Sequence, residues 1–182
     1  MSMAFSIDPT TLSYRLIEQR DLERVRALHN DESVLSQLTN VEQVSEKQQQ
    51  KWFETLSSST MSKRFVVEHG SSFIGVFRVD LIDHVNGSVQ VGLDIVEAFR
   101  GRGLACPIYE HFMSYFFDQV RMNRVHLKVI DTNLRAIHVY EKLGFIVEGR
   151  DRQALFRDGE HRDYVCMSIL RSEWSKRNSR SA

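Results

Sequence analysis

The chain predicts a mixed α/β domain whose sheet combines parallel and antiparallel strands. Strand-like and helix-like segments alternate along nearly the whole length. Gly70-Ser71-Ser72 and Asn86-Gly87 link three consecutive strand-like runs into a meander, Asn-Gly being the strongest short hairpin signal in the chain. No repeat, low-complexity tract or linker divides the 182 residues, so one domain spanning residues 1–182 is expected, with its core over about residues 12–170.

Residues 12–18 alternate apolar and polar side chains, as a half-buried strand does. From Asp21, the spacing of Leu22, Val25 and Leu28 is helical. Ser45 followed by Gln48 forms a capping-box pattern ahead of a helix reaching Leu56 and anchored by Trp52 and Phe53. Residues 64–69, 73–81 and 88–95 are the meander strands. A glycine-rich turn follows, then a helix over about 103–120, a strand over 125–130, and a helix from about Asn133 to Gly144, the last suited to a C-cap. Residues 145–150 and 164–170 read as a closing antiparallel pair with a turn at Asp158-Gly159. Residues 172–182 are polar, basic at their end, and read as a frayed terminus.

Lys plus Arg equals Asp plus Glu, 24 against 24, so no global field favours nucleic acid or anionic lipid. No apolar run approaches the roughly 20 residues that span a bilayer. Residues 1–9 lack the basic and apolar regions of a secretory signal. Cys106 and Cys166 are too few and too scattered for a disulfide framework or zinc cluster, and the histidines show no metal spacing. A cytoplasmic enzyme or binding domain without metal is the expectation.

The segment Glu97-Ala98-Phe99-Arg100-Gly101-Arg102-Gly103-Leu104-Ala105 carries strand into helix through a glycine-rich basic turn. Gly101 and Gly103 permit unusual dihedrals and close approach of the backbone to a ligand. The first helical turn offers unpaired N–H groups and the positive end of the macrodipole, and Arg100 and Arg102 add charge. Such a turn suits pyrophosphate. It is neither a P-loop nor a three-glycine dinucleotide fingerprint, since position 106 is Cys106. Taken alone, it is also what a solvated, glycine-rich helix start looks like.

Arg100-Gly101-Arg102-Gly103-Leu104-Ala105 resembles the Arg/Gln-x-x-Gly-x-Gly/Ala motif of the GNAT family of N-acetyltransferases. Further on, Asn133, Ala136, Tyr140, Gly144 and Phe145 match the family's second signature, Asn-x-x-Ala-x-x-x-Tyr-x-x-x-Gly-Phe. The element order is similar to the family fold over residues 12–170. His29-Asn30-Asp31, Trp52-Phe53 and the ending through Asp158-Gly159-Glu160 to Glu173-Trp174 resemble the ribosomal-protein and amino-sugar branches.

The resemblance implies a twisted mixed sheet of about seven strands, splayed between strands four and five, with acetyl-CoA in the opening. Pantetheine would pair with the fourth strand near Leu93, Ile95 and Val96. Pyrophosphate would sit on Arg100, Gly101, Arg102, Gly103, Leu104 and Ala105, and Asn133 and Ala136 would approach the cofactor. The reaction would pass acetyl directly to an amine, a backbone N–H of the fourth strand polarising the thioester carbonyl, with Tyr140 protonating the leaving thiolate. The resemblance also allows a homodimer.

The general base departs from the family pattern: Gln90 and Lys128 stand where relatives often carry Glu. The remaining carboxylates near the cleft are Asp80 and Asp94, and Asp94 reads as a solvated edge charge. Cys106 at a helix start lacks a histidine partner. Three functions are weighed on these residues. The first is acetyl transfer to a small amine such as an amino sugar. The others are transfer to a protein N-terminus and a non-catalytic acyl-CoA-binding module.

Overall fold

The computed structural model describes residues 7–38 and 42–181; residues 1–6, on which the reading of no secretory signal largely rests, lie outside them. The strands are β1 (Leu12–Leu16), β2 (Lys63–His69), β3 (Ser72–Asp83), β4 (Ser88–Ile95), β5 (Arg124–Ile130), β6 (Ile146–Arg157) and β7 (Glu160–Leu170). They form one sheet in the order β1-β2-β3-β4-β5-β7-β6. Every neighbouring pair is antiparallel except β4 and β5.

A parallel pair cannot be closed by a hairpin, so the chain crosses over through α4 (Ala105–Ser114) and a π turn, Tyr115–Gln119. A second crossover, α5 (Leu134–Leu143), carries β5 to β6. Right-handed crossovers running in the same direction place both helices on one face of the sheet. There Phe77, Val79 and Val91 pack with Ile108, Tyr109, Phe112 and Leu143. Phe77 and Phe112 stack at 3.8 Å, each fully buried ring contributing about 1.5–3 kcal/mol. The opposite face is covered by α1 (Leu22–Asn30), α2 (Glu32–Leu35) and α3 (Glu46–Ser58), through Val25, Leu28 and Val34 against Val76.

Local chemistry sets the boundaries. At α3, the Ser45 N–H donates to Gln48 Oε1 at 2.9 Å while the Gln48 N–H donates back to Ser45 Oγ at 3.3 Å. Gly144 ends α5 with φ 93°, the left-handed geometry that glycine takes without strain. Asp21, fully buried, ties α1 to the sheet. It accepts from Arg15 at 2.6 and 2.8 Å and from Arg24, and both arginines also reach Glu68 on β2. Burial alone would raise the Asp21 pKa, but hydrogen bonds from Arg15, the Glu18 N–H and Arg24 outweigh it and hold the carboxyl well below the usual range.

Three expectations change. The segment expected to fray is a helix, α6 (Arg171–Ser181), because Trp174, 3 % exposed, packs on Phe117 with ring centroids 6.1 Å apart. Its first turn is secured by the Leu170 N–H donating to Glu173 at 2.8 Å. The closing strands β6 and β7 run longer than expected, since a bulge near Gln153 (φ 52°) lets pairing resume at Leu155. The short helix α2 was not anticipated; Asp31 caps it by accepting from the Ser33 N–H at 2.9 Å.

Candidate active site

β4 and β5 pair only at their beginnings, Ser88, Val89 and Gln90 opposite Arg124, Val125 and His126. Beyond that, β3 holds β4 as far as Ile95 and β7 holds β5 as far as Ile130, so the two strands part. The splay expected between strands four and five is present. Along β4, backbone groups alternate in direction. The Val96 N–H donates to the Ile74 carbonyl at 3.0 Å, toward β3. Leu93 and Ile95 therefore turn their backbone groups into the gap, and Arg100 Nε donates to the Ile95 carbonyl there at 2.7 Å. The cofactor positions expected on β4 thus divide: Leu93 and Ile95 face the opening, whereas the Val96 amide does not.

At the end of the gap lies the glycine-rich turn. Gly101 and Gly103 have φ of 77° and 76°, and Leu104, preceding α4, provides no side-chain cap. The first N–H groups of α4 are thus left to backbone, water or a ligand. Pro107 costs this helix nothing in its first turn. Arg102 lies over the Phe99 ring at 5.4 Å. A Cβ on Gly101 would stand 3.1 Å from the Arg135 guanidinium, so a second cation from α5 adjoins the turn. Arg100 is committed elsewhere: besides Ile95, it donates to Ser33 Oγ at 2.6 Å, fastening the turn to α2. Asn133 caps α5 by accepting from the Ala136 N–H at 3.1 Å. These residues fit a pyrophosphate and its pantetheine arm: an uncapped helix start, two glycines and two guanidinium groups lead into a strand with inward amides.

Tyr140 stands on α5 in contact with Tyr109 of α4. The Tyr109 hydroxyl donates to the Tyr140 oxygen at 3.4 Å, a long bond, and the rings meet edge-on at 5.5 Å. Burial raises the Tyr140 pKa, while the Tyr109 hydrogen bond and the charge of Arg78 pull it back.

On the face beneath α1–α3, the register places Arg64, Arg78, Asp80, Gln90, Gly92 and Asp94 together. Arg64 donates to Asp80 at 2.9 Å. Arg78 Nε lies 2.9 Å from Asp94 Oδ2, an ion pair whose angle falls short of a hydrogen bond. Asp94 is therefore not the solvated edge charge expected. Its side chain is 18 % exposed, because the sheet opens beside it and Arg78 lies across it. Glycine makes this possible: a Cβ on Gly92 would meet the Arg78 guanidinium at 2.7 Å, and one on Gly75 would meet the Asp94 carbonyl at 2.1 Å. Lys128 donates to Asp151 at 2.6 Å, which raises its pKa and keeps it charged. Gln90 cannot take a proton at neutral pH, so neither position supplies a base. Cys106 packs against the larger core.

Sequence reasoning missed Tyr109, Arg135 and Arg78. Tyr109 occupies an apolar helical position like any core aromatic, and Arg135 is one of the unspecified positions in its signature. Arg78 had left a signal, a charge on the inward alternation of a strand.

An acetyltransferase (GNAT) domain family model matches residues 11–146. The chain is 26% identical over 168 residues to a spermidine N(1)-acetyltransferase of Vibrio cholerae, covering 92% of this chain and 97% of that protein. It is 30% identical over 106 residues to a putative ribosomal N-acetyltransferase of Bacillus subtilis, covering 58% of each. A crystal structure of the Vibrio cholerae spermidine N-acetyltransferase in complex with CoA and spermine superposes with a TM-score of 0.86 at 25% identity, over 91% of this chain and 99% of that one. With a GNAT model across most of its length and a sheet splayed between β4 and β5, the chain belongs to the GNAT acetyltransferases, an acetyl-CoA-dependent N-acetyltransferase.

Proposed function

We propose that the chain transfers acetyl directly to the primary amine of a small molecule, with Tyr140 as the acid for the leaving group. Acetyl-CoA supplies the acetyl thioester. The observation that carries the reading is the parting of β4 and β5 beyond Gln90 and His126, which leaves the backbone groups of Leu93 and Ile95 facing a gap, with the Tyr140 phenol offered as acid from α5. The first N–H groups of α4, with Arg102 and Arg135, would hold the pyrophosphate. Leu93 and Ile95 would hold the pantetheine arm, and one of their N–H groups would polarise the carbonyl oxygen. Asn133 and Ala136, at the start of α5, would line the approach of the pantetheine arm to Tyr140. The phenol of Tyr140 gives its proton to sulfur, and the Tyr109 hydroxyl steadies the phenolate that remains. An amine entering from the α1–α3 face meets Arg78 and Asp94 first. Its proton passes to water, since Gln90 and Lys128 supply no base and Asp94 is held by Arg78.

The names of the Vibrio cholerae relative and its structure support a small amine over a protein N-terminus, because that match spans both chains almost whole. An amino sugar, a polyamine and an amino acid all satisfy the chemistry. Thiol release from acetyl-CoA, measured with these amines and with peptides bearing free N-termini, tests the reading. Turnover is expected with at least one small amine and not with peptides. Turnover confined to peptides would overturn it, and so would CoA binding by calorimetry with no thiol release from any acceptor.

A further inference from the structure

The acceptor side of the gap carries paired opposite charges where a cationic substrate alone would call for negative charge. Arg78 and Asp94 project from adjacent strands onto the face covered by α1–α3, their side chains 34% and 18% exposed. Among the described residues, Asp94 is the ion-pair partner of the Arg78 guanidinium, and that contact involves Nε. No described residue forms a hydrogen bond with its two terminal nitrogens, which leaves a planar fork of N–H donors above Gly92. Gly92 is what allows the guanidinium to lie flat against the strand. Arg78 and Asp94 both act electrostatically on the phenols of Tyr109 and Tyr140.

We infer that the acceptor carries a carboxylate beside its amine, as an amino acid does, with Arg78 taking the carboxylate and Asp94 the amino group. This inference rests on the small-amine reading above and deepens it. The charges match in sign and spacing: an α-amino acid separates its two groups by one carbon, and the cleft offers a cation and an anion in contact. A guanidinium fork is the side chain best shaped for a carboxylate. A polyamine, which brings two or more positive charges and no negative one, would offer the guanidinium fork of Arg78 no partner.

The test compares each amino acid with its own amide, which keeps the amine and removes the negative charge. Thiol release is followed with several L-amino acids, their amides and spermidine, and kcat/KM is expressed per neutral amine to remove differences in amine pKa. The acid is expected to exceed its amide by about 10–100-fold, the worth of a charge-assisted pair. Spermidine is expected to fall below both. In Arg78→Gln the acid-to-amide ratio should fall to about one, and Arg78→Lys should restore part of it. Equal rates for acid and amide in the native chain, or spermidine as the best acceptor, would overturn the inference while leaving small-amine transfer intact. A preference for the acid that survives Arg78→Gln would overturn the role of Arg78. No thiol release with any amine would instead overturn the reading on which the inference rests, and this inference with it.

Discussion

Tyr140→Phe is expected to lower kcat by about 10–1000-fold while CoA affinity changes little, the signature of a lost general acid. The reasoning is geometric. The phenol ring packs edge-on against Tyr109 and lies 5.8 Å from the Phe145 ring, contacts that phenylalanine preserves. Only the hydroxyl is removed. Burial holds its pKa above the ordinary phenol value, so it remains an acid at neutral pH. The measurement is steady-state thiol release beside a calorimetric titration with CoA. An unchanged kcat would remove Tyr140 from the chemistry.

Asp21→Ala is expected to cost about 3–5 kcal/mol, the penalty for removing one partner of a buried ion pair. Against the 5–15 kcal/mol that stabilises an ordinary domain, this is a large share. Arg15 and Arg24 would be left facing each other with Glu68 alone to balance them. The native pKa of Asp21 is depressed, so its stabilisation is fully present above the unfolded carboxylate value of about 3.9 and is lost as pH falls through the lower native value. Denaturant melts at neutral and acidic pH check this. The native chain should lose more stability on acidification than Asp21→Ala, and equal losses would show that other carboxylates govern the acid limb.

The fold was legible because its signals are local. Asn86-Gly87 marked the hairpin into β4, Ser45 and Gln48 marked the start of α3, and Asn133 and Gly144 bracketed α5 at both ends. The sheet order was not legible from spacing, because β7 inserts between β5 and β6 through contacts that no turn announces. α6 escaped because its composition is polar and a single tryptophan holds it down. In the site, the glycine-rich turn and the Asn133-to-Phe145 helix were visible as motifs. Their partners were not: Tyr109 meets Tyr140 across two helices, and the Arg78–Asp94 pair depends on the register of β3 with β4 and on the absence of a side chain at Gly92. Arg100 shows the opposite case. Its motif position suggested a phosphate ligand, whereas its guanidinium closes the turn onto Ile95 and Ser33.

The seat of the donor between β4 and β5 is tested most directly by amide hydrogen exchange with and without CoA. Leu93 and Ile95 should exchange more slowly when CoA is bound, together with Ala105 and Cys106 at the start of α4. Val96, whose N–H is already bonded to Ile74, should hardly change. Protection that spared Leu93 and Ile95 while CoA bound tightly would contradict the account.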